Sequence, residues 1–413
     1  RMKSIAVLGA FDTKGAELAY LIDCIHALAP LADVISVDVS ARAHEAVFSA
    51  TIPNVEVARR GGGTLAALSS GDRLEAVTVM IEGAKRCIQD LYSTGRISGA
   101  ITLGGGSGTV LGMQALRQLP VGFPKVMVST IAASATTGRL WQGTDILVMN
   151  SVVDIAGLNS ISRAVFRTAA GAVTGAAQLG PAPTPKKEKP VVAATMYGMT
   201  TPGVEAAKAW LETNGYEVLV FHANGAGGQT MEELIRGGGI DGVLDLTTTE
   251  WADTLCGGVC AAGPDRLDAA AQGGVPQVVS VGALDMVNIN ERPVRFSHRL
   301  FHGGETSSLM RTTPEENRRL GTIIADKLNA CTAPCALLLP LHGVSQIDRE
   351  GGPFWDPAAD DALFSAIRAA LVSPLVELQE LPLHINDPAF GKAAAKKLHA
   401  LITAGKEHRT ACI

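Results

Sequence analysis

Gly99-Ala100-Ile101-Thr102-Leu103-Gly104-Gly105-Gly106-Ser107-Gly108-Thr109 is an apolar run that breaks into glycines. The run up to Leu103 reads as a buried strand, and Val110 to Leu119 reads as a helix. Strand, glycine loop and helix together open a βαβ unit, which points to a doubly wound α/β fold. The loop also points to a ligand. Glycines let backbone N–H groups approach an anion closely, and a helix N-terminus adds partial positive charge there. Ser107 and Thr109 add hydroxyl donors. A turn whose glycines only solve a backbone problem is the plain alternative. Gly104, Gly105, Gly106 and Gly108 with two hydroxyls exceed what such a turn needs, so a phosphate or carboxylate is expected, most simply on a nucleotide. Counted from Gly104, the G-x-G-x-x-G frame places Thr109 where the third glycine belongs, so a nicotinamide cofactor is not indicated.

The same alternation runs through the first half. Strands are expected at Ile5–Phe11, Val34–Val39, Ala100–Leu103, Val126–Ser129 and Ile146–Met149, with helices from Gly15 to Leu28 and from Arg73 to Tyr92. Continuous apolar strands between helices mean a parallel sheet covered on both faces. His44 to Ser70 is less regular, and Arg59-Arg60-Gly61-Gly62-Gly63 reads as mobile, a lid or a partner contact. In a parallel sheet the loop Gly9 to Gly15 leaves the same edge as the glycine loop. It is not a Walker A loop, because Lys14 precedes Gly15. Lys14 is placed to neutralise phosphate and Thr13 to donate a hydrogen bond. Asp12 is placed to accept from a ribose hydroxyl or to hold a metal through water. The alternative for Asp12 and Thr13 is a helix cap. Ser129 and Thr130 either complete the anion pocket or form a turn. Asp154 and Asn159 stand in an apolar segment, where burial demands a backbone or ligand partner.

Pro181-Ala182-Pro183-Thr184-Pro185-Lys186-Lys187-Glu188-Lys189-Pro190 reads as a linker. It divides the chain into a nucleotide-binding domain over 1–180 and a second domain over 191–413. The second half restarts the pattern, with strands at Val191–Met196, Glu217–Phe221, Val243–Leu246, Gln277–Val281, Ala336–Leu339 and Val376–Leu381. Helices are expected at Val204 to Asn214, Met231 to Arg236, Pro314–Asn329, Ala359–Leu371 and Pro388–Ile402. Two Rossmann-like doubly wound domains with mainly parallel sheets are expected, facing one another across a cleft lined by strand-end loops. Polar groups gather at those ends in the second half: Asp245-Leu246-Thr247-Thr248-Thr249-Glu250, His222, Asp285 and Leu341-His342-Gly343-Val344-Ser345. His222, Glu250 and Asp285 are the general acid–base candidates, although each alone reads equally well as a cap or a satisfied structural group. Thr313-Pro314-Glu315-Glu316 reads as a capping box, with Arg311 before it available to a carboxylate.

Composition sets the outer bounds. The 413 residues allow two or three cores, and 47% apolar with 18% charged residues is a well-buried α/β profile. Lys and Arg number 35 against 40 Asp and Glu, a net charge of −5, and no basic stripe carries interleaved aromatics. Nucleic acid is therefore not an expected partner. No apolar run reaches the length of a membrane span. The N-terminus runs straight into a strand, so a signal peptide is not expected. The seven cysteines lack a Cys-x-x-Cys, and the pairs Cys256/Cys260 and Cys331/Cys335 have no histidine to complete a metal set. Reduced thiols and a cytoplasmic location are expected.

Taken in order, the segments Gly9 to Gly15, Leu103 to Thr109, Asn150 to Asn159 and Thr200-Thr201-Pro202 resemble the Tm-1-like ATP-binding family, also labelled UPF0261. Gly242 to Glu250, Gly282 to Asn288, Met310 to Asn317 and Ile385-Asn386-Asp387-Pro388 extend the resemblance over nearly the whole chain. It implies two Rossmann-like domains, ATP in the N-terminal half and a homodimer, and the family's plant member is an inhibitor of viral RNA replication. Two stretches depart from the pattern. Ile131-Ala132-Ala133-Ser134-Ala135-Thr136-Thr137 lacks the usual glycine and acid or amide, and His302 to Ser308 replaces an Arg-His-Asn-Pro stretch. The expected function is ATP binding with Mg²⁺ in an ATP-dependent step on a small carboxylate-bearing metabolite. A nucleotide-responsive protein-binding module and an ATP-independent isomerase or lyase are the alternatives.

Overall fold

The computed structural model describes residues 4–45, 47–134, 137–141, 143–180, 189–290, 294–304 and 308–411. Most of the expected linker, 181–188, and Ala135–Thr136 of the altered loop lie outside the described residues. The chain divides into two compact units, Arg1–Pro185 and Lys186–Ile413.

The N-terminal unit runs β1 (Ser4–Gly9), α1 (Phe11–Leu28), β2 (Val34–Asp38), α2 (Asn54–Arg60), α3 (Leu65–Ser70), α4 (Arg73–Ser93), β3 (Ile97–Gly104) and α5 (Gly106–Leu116). It continues with β4 (Lys125–Ser129), α6 (Gly138–Trp141), β5 (Leu147–Asn150) and α7 (Ser160–Leu179). All five strands are parallel, in the order β2-β1-β3-β4-β5. The inner strands are almost wholly buried, as a parallel sheet with helices on both faces requires. Helices α1 and α7 pack on one face, and α4 and α5 on the other. The chain leaves β1 toward β2, then returns across β1 to β3. That reversal opens a crevice beyond the C-terminal ends of β1 and β3, the usual ligand position in open α/β sheets.

One expectation changes here. Phe11 starts α1 rather than ending β1, and the first turn of α1 is kinked at Lys14 (φ −130°). Within His44 to Ser70, α2 is held against the rest of the unit. Arg59 and Arg60 are both paired with Glu56, and α2 packs backbone to backbone on α4. A Cβ at Gly83 would sit 1.9 Å from the Val57 carbonyl oxygen, and one at Gly61 2.0 Å from that of Val79. Those glycines permit close helix contact.

The C-terminal unit runs β6 (Val191–Met196), α8 (Thr201–Thr213), β7 (Glu217–His222), α9 (Ala226–Arg236), β8 (Gly242–Thr247), α10 (Glu250–Cys256), α11 (Asp268–Gly273) and β9 (Gln277–Gly282). Then follow β10 (Met286–Ile289), β11 (Phe301–Gly303), β12 (Ser308–Arg311), α12 (Pro314–Asn329), β13 (Cys335–Pro340), α13 (Pro357–Ala370), β14 (Val376–Leu381) and α14 (Pro388–Ala411). Its six-stranded sheet is parallel, in the order β14-β13-β9-β8-β6-β7, and repeats the reversal between β6 and β8. The expected parallel strands end within a residue of those observed. The sequence reading passed over the small antiparallel sheet β10-β12-β11, whose short strands carry little periodicity. No helix among the described residues is long and apolar enough to cross a membrane.

Candidate functional site

In the N-terminal unit the glycines enter the helix itself: α5 begins at Gly106, with Gly105 as its N-cap and no capping side chain. The first N–H groups of a helix have no partner within it. Here the exposed Gly106 and Ser107 and the half-buried Gly108 form that open first turn. A Cβ at Gly106 would meet nothing within 4 Å. A Cβ at Gly104 would sit 2.7 Å from the carbonyl carbon of Gly108, so Gly104 lets the strand run tightly into the turn. Thr109 and Ser129 do not face this opening. Both are fully buried, their hydroxyls lie 2.7 Å apart, and Ser129 Oγ also accepts the Ile131 N–H at 3.1 Å. They tie the glycine loop to the end of β4. Thr130 donates its N–H to the Gly104 carbonyl and is half-buried.

The α1 N-terminus beside it is already closed. Phe11 N–H donates to Asp38 Oδ1 (3.3 Å) and Asp12 N–H to Ser40 Oγ (3.0 Å). Asp38 also accepts from Ser40 N–H and Oγ and pairs with His44 Nε2 at 2.8 Å. Burial pulls His44 down, but the bond to Asp38 and the charges of Asp38 and Asp12 outweigh it and hold His44 above its ordinary pKa. Asp38 therefore stabilises α1 from 27 residues away, and neither Asp12 nor Thr13 caps it with a side chain. Asp12 and Thr13 are exposed. The Lys14 ammonium donates to the Ile155 carbonyl, and Gly157 N–H donates to Glu17 Oε1 at 2.7 Å. The segment after β5 is thereby drawn back to α1. Asn159 caps α7 through a reciprocal box with Ser162, while Asp154 is exposed rather than buried.

The C-terminal unit treats its own β6/β8 crevice differently. Thr200 and Thr247, fully buried, join hydroxyls at 2.8 Å across it. Glu250 is buried and committed: Oε1 accepts the N–H groups of Gly225 (2.6 Å) and Gly228 (3.1 Å), and Oε2 pairs with Arg266 at 2.6 Å. It holds the N-terminus of α9, which is why that helix begins at Ala226 and not at Met231. This removes Glu250 from the acid–base candidates. Arg266, 1% exposed, also binds Asp245 through both Nη atoms and approaches Glu232 at 3.5 Å. His222 is exposed at the end of edge strand β7, stacked on Tyr197 with ring centroids 5.6 Å apart. The Tyr197 hydroxyl donates to Asn288, and burial pushes its pKa up to about 12. The structure does not bring His222, Glu250 and Asp285 into one hydrogen-bonded group.

Asp285 belongs to a different cluster. Its Oδ2 accepts the Ser345 hydroxyl at 2.7 Å, and its Oδ1 has no side-chain or distant donor among the described residues. Arg311, held above its ordinary pKa by the surrounding carboxylates against burial, donates to Asp360 (2.9 Å) and lies 3.7 Å from Asp348. The capping box of Thr313 and Glu316 forms just after it. Asp38, His44, Arg266, Asp348 and Asp360 escaped the sequence reading. Asp38 ends β2, an expected strand, and His44 opens the stretch passed over as irregular, while nothing local distinguishes Arg266. Among the described residues no group of three His, Cys, Asp or Glu is arranged to hold a metal ion.

Burial, with the nearby charge of Asp348, pushes Asp285 and Asp360 up, to about 7 and about 8, against the pull of Arg311. A carboxyl raised on folding keeps a proton that the unfolded chain has already released. The folded state then binds more protons between the ordinary carboxylate value, about 4, and about 8, so stability falls as pH rises through that window. The urea midpoint is expected to drop between about pH 5 and about pH 8, and to drop less in Asp285→Asn, which removes the titrating group. An identical drop in the variant would clear Asp285 of this role.

Residues 3–181 match the N-terminal domain of an uncharacterised protein family, UPF0261, and residues 189–402 match its C-terminal domain. A UPF0261 protein of Clostridium tetani is 46% identical over 401 residues, covering 96% of this chain and 98% of that one. A UPF0261 protein of Rhizobium meliloti is 44% identical, over 95% and 98%. The ToMV resistance protein Tm-1(GCR237) of Solanum lycopersicum is 42% identical over 328 residues, covering 77% of this chain and 43% of that protein.

Proposed function

The chain belongs to the UPF0261 family, and from that premise we propose that its N-terminal unit binds ATP, with Mg²⁺, over the β1/β3 crevice. The observation that carries this reading is the open first turn of α5 at the point where strand order reverses. Three backbone N–H groups at an uncapped helix N-terminus suit a phosphate group. The neighbouring α1 terminus, closed by Asp38 and Ser40, offers no such place. Lys14 exchanges the Ile155 carbonyl for phosphate oxygens, and Thr13 donates from the rim. Asp12, exposed one residue into α1, is the carboxylate available to a phosphate-bound Mg²⁺, which typically takes only one or two protein ligands. Bound there, ATP supplies a triphosphate that is either transferred or sensed.

Calorimetric titration with ATP·Mg²⁺ tests the reading. Saturable binding is expected, and Lys14→Met is expected to weaken it about tenfold, the loss of roughly one charge-assisted contact. Wild-type affinity in Lys14→Met, or no binding by the wild type, would overturn it. ADP release on adding small carboxylate metabolites would extend the reading to an ATP-dependent enzyme. Sedimentation with and without ATP tests the homodimer that the resemblance implies.

A further inference from the structure

Cys331 and Cys335 flank the short loop that carries the chain from the end of α12 to the start of β13. Their Sγ atoms lie 3.1 Å apart, with the Cys335 thiol donating to the Cys331 sulfur. Spacing alone does not bring this about. Cys256 stands at the same spacing from Cys260, yet its thiol lies beside Glu316.

The loop is held by its surroundings. Cys331 N–H donates to the Leu328 carbonyl at 3.0 Å, and Thr332 donates both its N–H (3.0 Å) and its hydroxyl (3.1 Å) to the Ala271 carbonyl on α11. Cys335 N–H donates to the Leu375 carbonyl, just before β14, at 2.9 Å. Pro334 fixes one further backbone dihedral. With the backbone anchored at both cysteines, the sulfurs need to close by only about 1 Å to reach bonding distance. Groups already fixed in contact avoid most of the entropy cost of a bimolecular step.

The two thiols are chemically unequal. Gln277, which opens the neighbouring strand β9 and is 1% exposed, donates its side-chain N–H to Cys331 Sγ at 3.3 Å. The hydrogen bond from Cys335, helped by that from Gln277, holds Cys331 below the ordinary thiol value against burial, while Cys335 is pushed up. The thiolate is the nucleophile in sulfur chemistry, which makes Cys331 the attacking sulfur. Cys331 is 7% exposed and followed by the exposed Thr332, whereas Cys335 is 2% exposed. A small reagent from solvent therefore meets Cys331 first.

We propose that Cys331 and Cys335 are a reversible redox pair, closed to a disulfide by a hydroperoxide such as hydrogen peroxide. The Cys331 thiolate attacks one peroxide oxygen, the S–O bond forms and the O–O bond breaks, and the departing hydroxide takes the Cys335 proton to leave as water. The Cys335 thiolate then attacks the Cys331 sulfur, the S–S bond forms and the S–O bond breaks, and the second hydroxide takes a proton from solvent. The pair gives up two electrons, and the peroxide is reduced to two waters. A small dithiol reverses the bond by exchange.

The test uses the full chain. Native protein is treated with hydrogen peroxide, quenched with catalase, unfolded, alkylated and digested with trypsin. Lys327 and Arg349 bound one peptide, 328–349, that holds both cysteines. After peroxide that peptide is expected unalkylated and two hydrogen atoms lighter, and after dithiothreitol it is expected doubly alkylated again. Cys256 and Cys260 are expected to stay alkylated throughout. Cys335→Ser is expected to leave Cys331 as a sulfenic acid that dimedone captures, with labelling at least about tenfold above that of Cys335 in Cys331→Ser. Two alkylated thiols in the wild-type peptide after peroxide, oxidation that dithiothreitol does not reverse, equal closure of Cys256 with Cys260, or equal dimedone labelling of the two variants would each overturn the proposal. The wild-type peptide needs no variant to fold. A failed ATP titration leaves this result standing, because the two readouts report on different units.

Discussion

Gly106→Asp is expected to weaken ATP binding by about 100-fold or more while leaving the protein as thermostable as the wild type. The two effects separate because of where the side chain goes. A Cβ at this position meets nothing within 4 Å, and the backbone there is ordinary helix, so the substitution introduces no clash. Aspartate in a first helical turn interacts favourably with the helix dipole, by roughly 0.3–1 kcal/mol. The same carboxylate would occupy the anion's place at the N–H groups of Gly106, Ser107 and Gly108 and would repel the phosphates. Two like charges about 4 Å apart near a protein surface interact by up to about 4 kcal/mol, ample for a loss of this size. Gly106→Ala is the control, since it fills the space without charge. Calorimetry on both variants, beside a thermal melt, decides the matter. ATP affinity in Gly106→Asp equal to the wild type would place any nucleotide elsewhere.

Arg266→Met is expected to destabilise the C-terminal unit by about 3–5 kcal/mol, the usual cost of breaking a buried ion pair by removing one partner. Methionine fills much of the volume but leaves Asp245, Glu250 and Glu232 without their shared cation. The damage spreads through hydrogen bonds. Glu250 anchors Gly225 and Gly228 at the start of α9, and Glu232 accepts the N–H groups of Leu267 and Ala269 at the start of α11. Burial already pushes Glu232 up, with Arg266 opposing. Without the arginine Glu232 holds its proton more readily, so the loss should be smaller in mild acid than above neutrality. Urea unfolding at both pH values measures this. A midpoint within error of the wild type would show that the cluster contributes little net stability.

The parallel strands were legible because their signal is local. Each is a continuous apolar run, and runs such as Gln277–Gly282 and Cys335–Pro340 are buried along their whole length. The capping box at Thr313 was legible for the same reason, since its partners are three residues apart. The antiparallel strands β10 to β12 were not, because three or four residues hold too little pattern. At the sites the division is sharper. Glu250 and Asp285 looked alike in sequence, two acids just past strand ends. One became a helix anchor through Arg266, 16 residues away, and the other joined Ser345, 60 residues away.

The amino-acid sequence alone determined the fold class, the repeated strand–loop–helix grammar of the two halves and the glycine turn at the end of β3. Hydrophobic periodicity and turn chemistry act over a few residues, so they survive in one dimension. Only the tertiary structure decided which polar groups are free. It closed the α1 terminus with Asp38, left that of α5 open, buried Thr109 against Ser129 and gathered three aspartates around Arg311. A buried polar group must find a partner, and that partner is supplied by whichever distant segment the fold brings alongside.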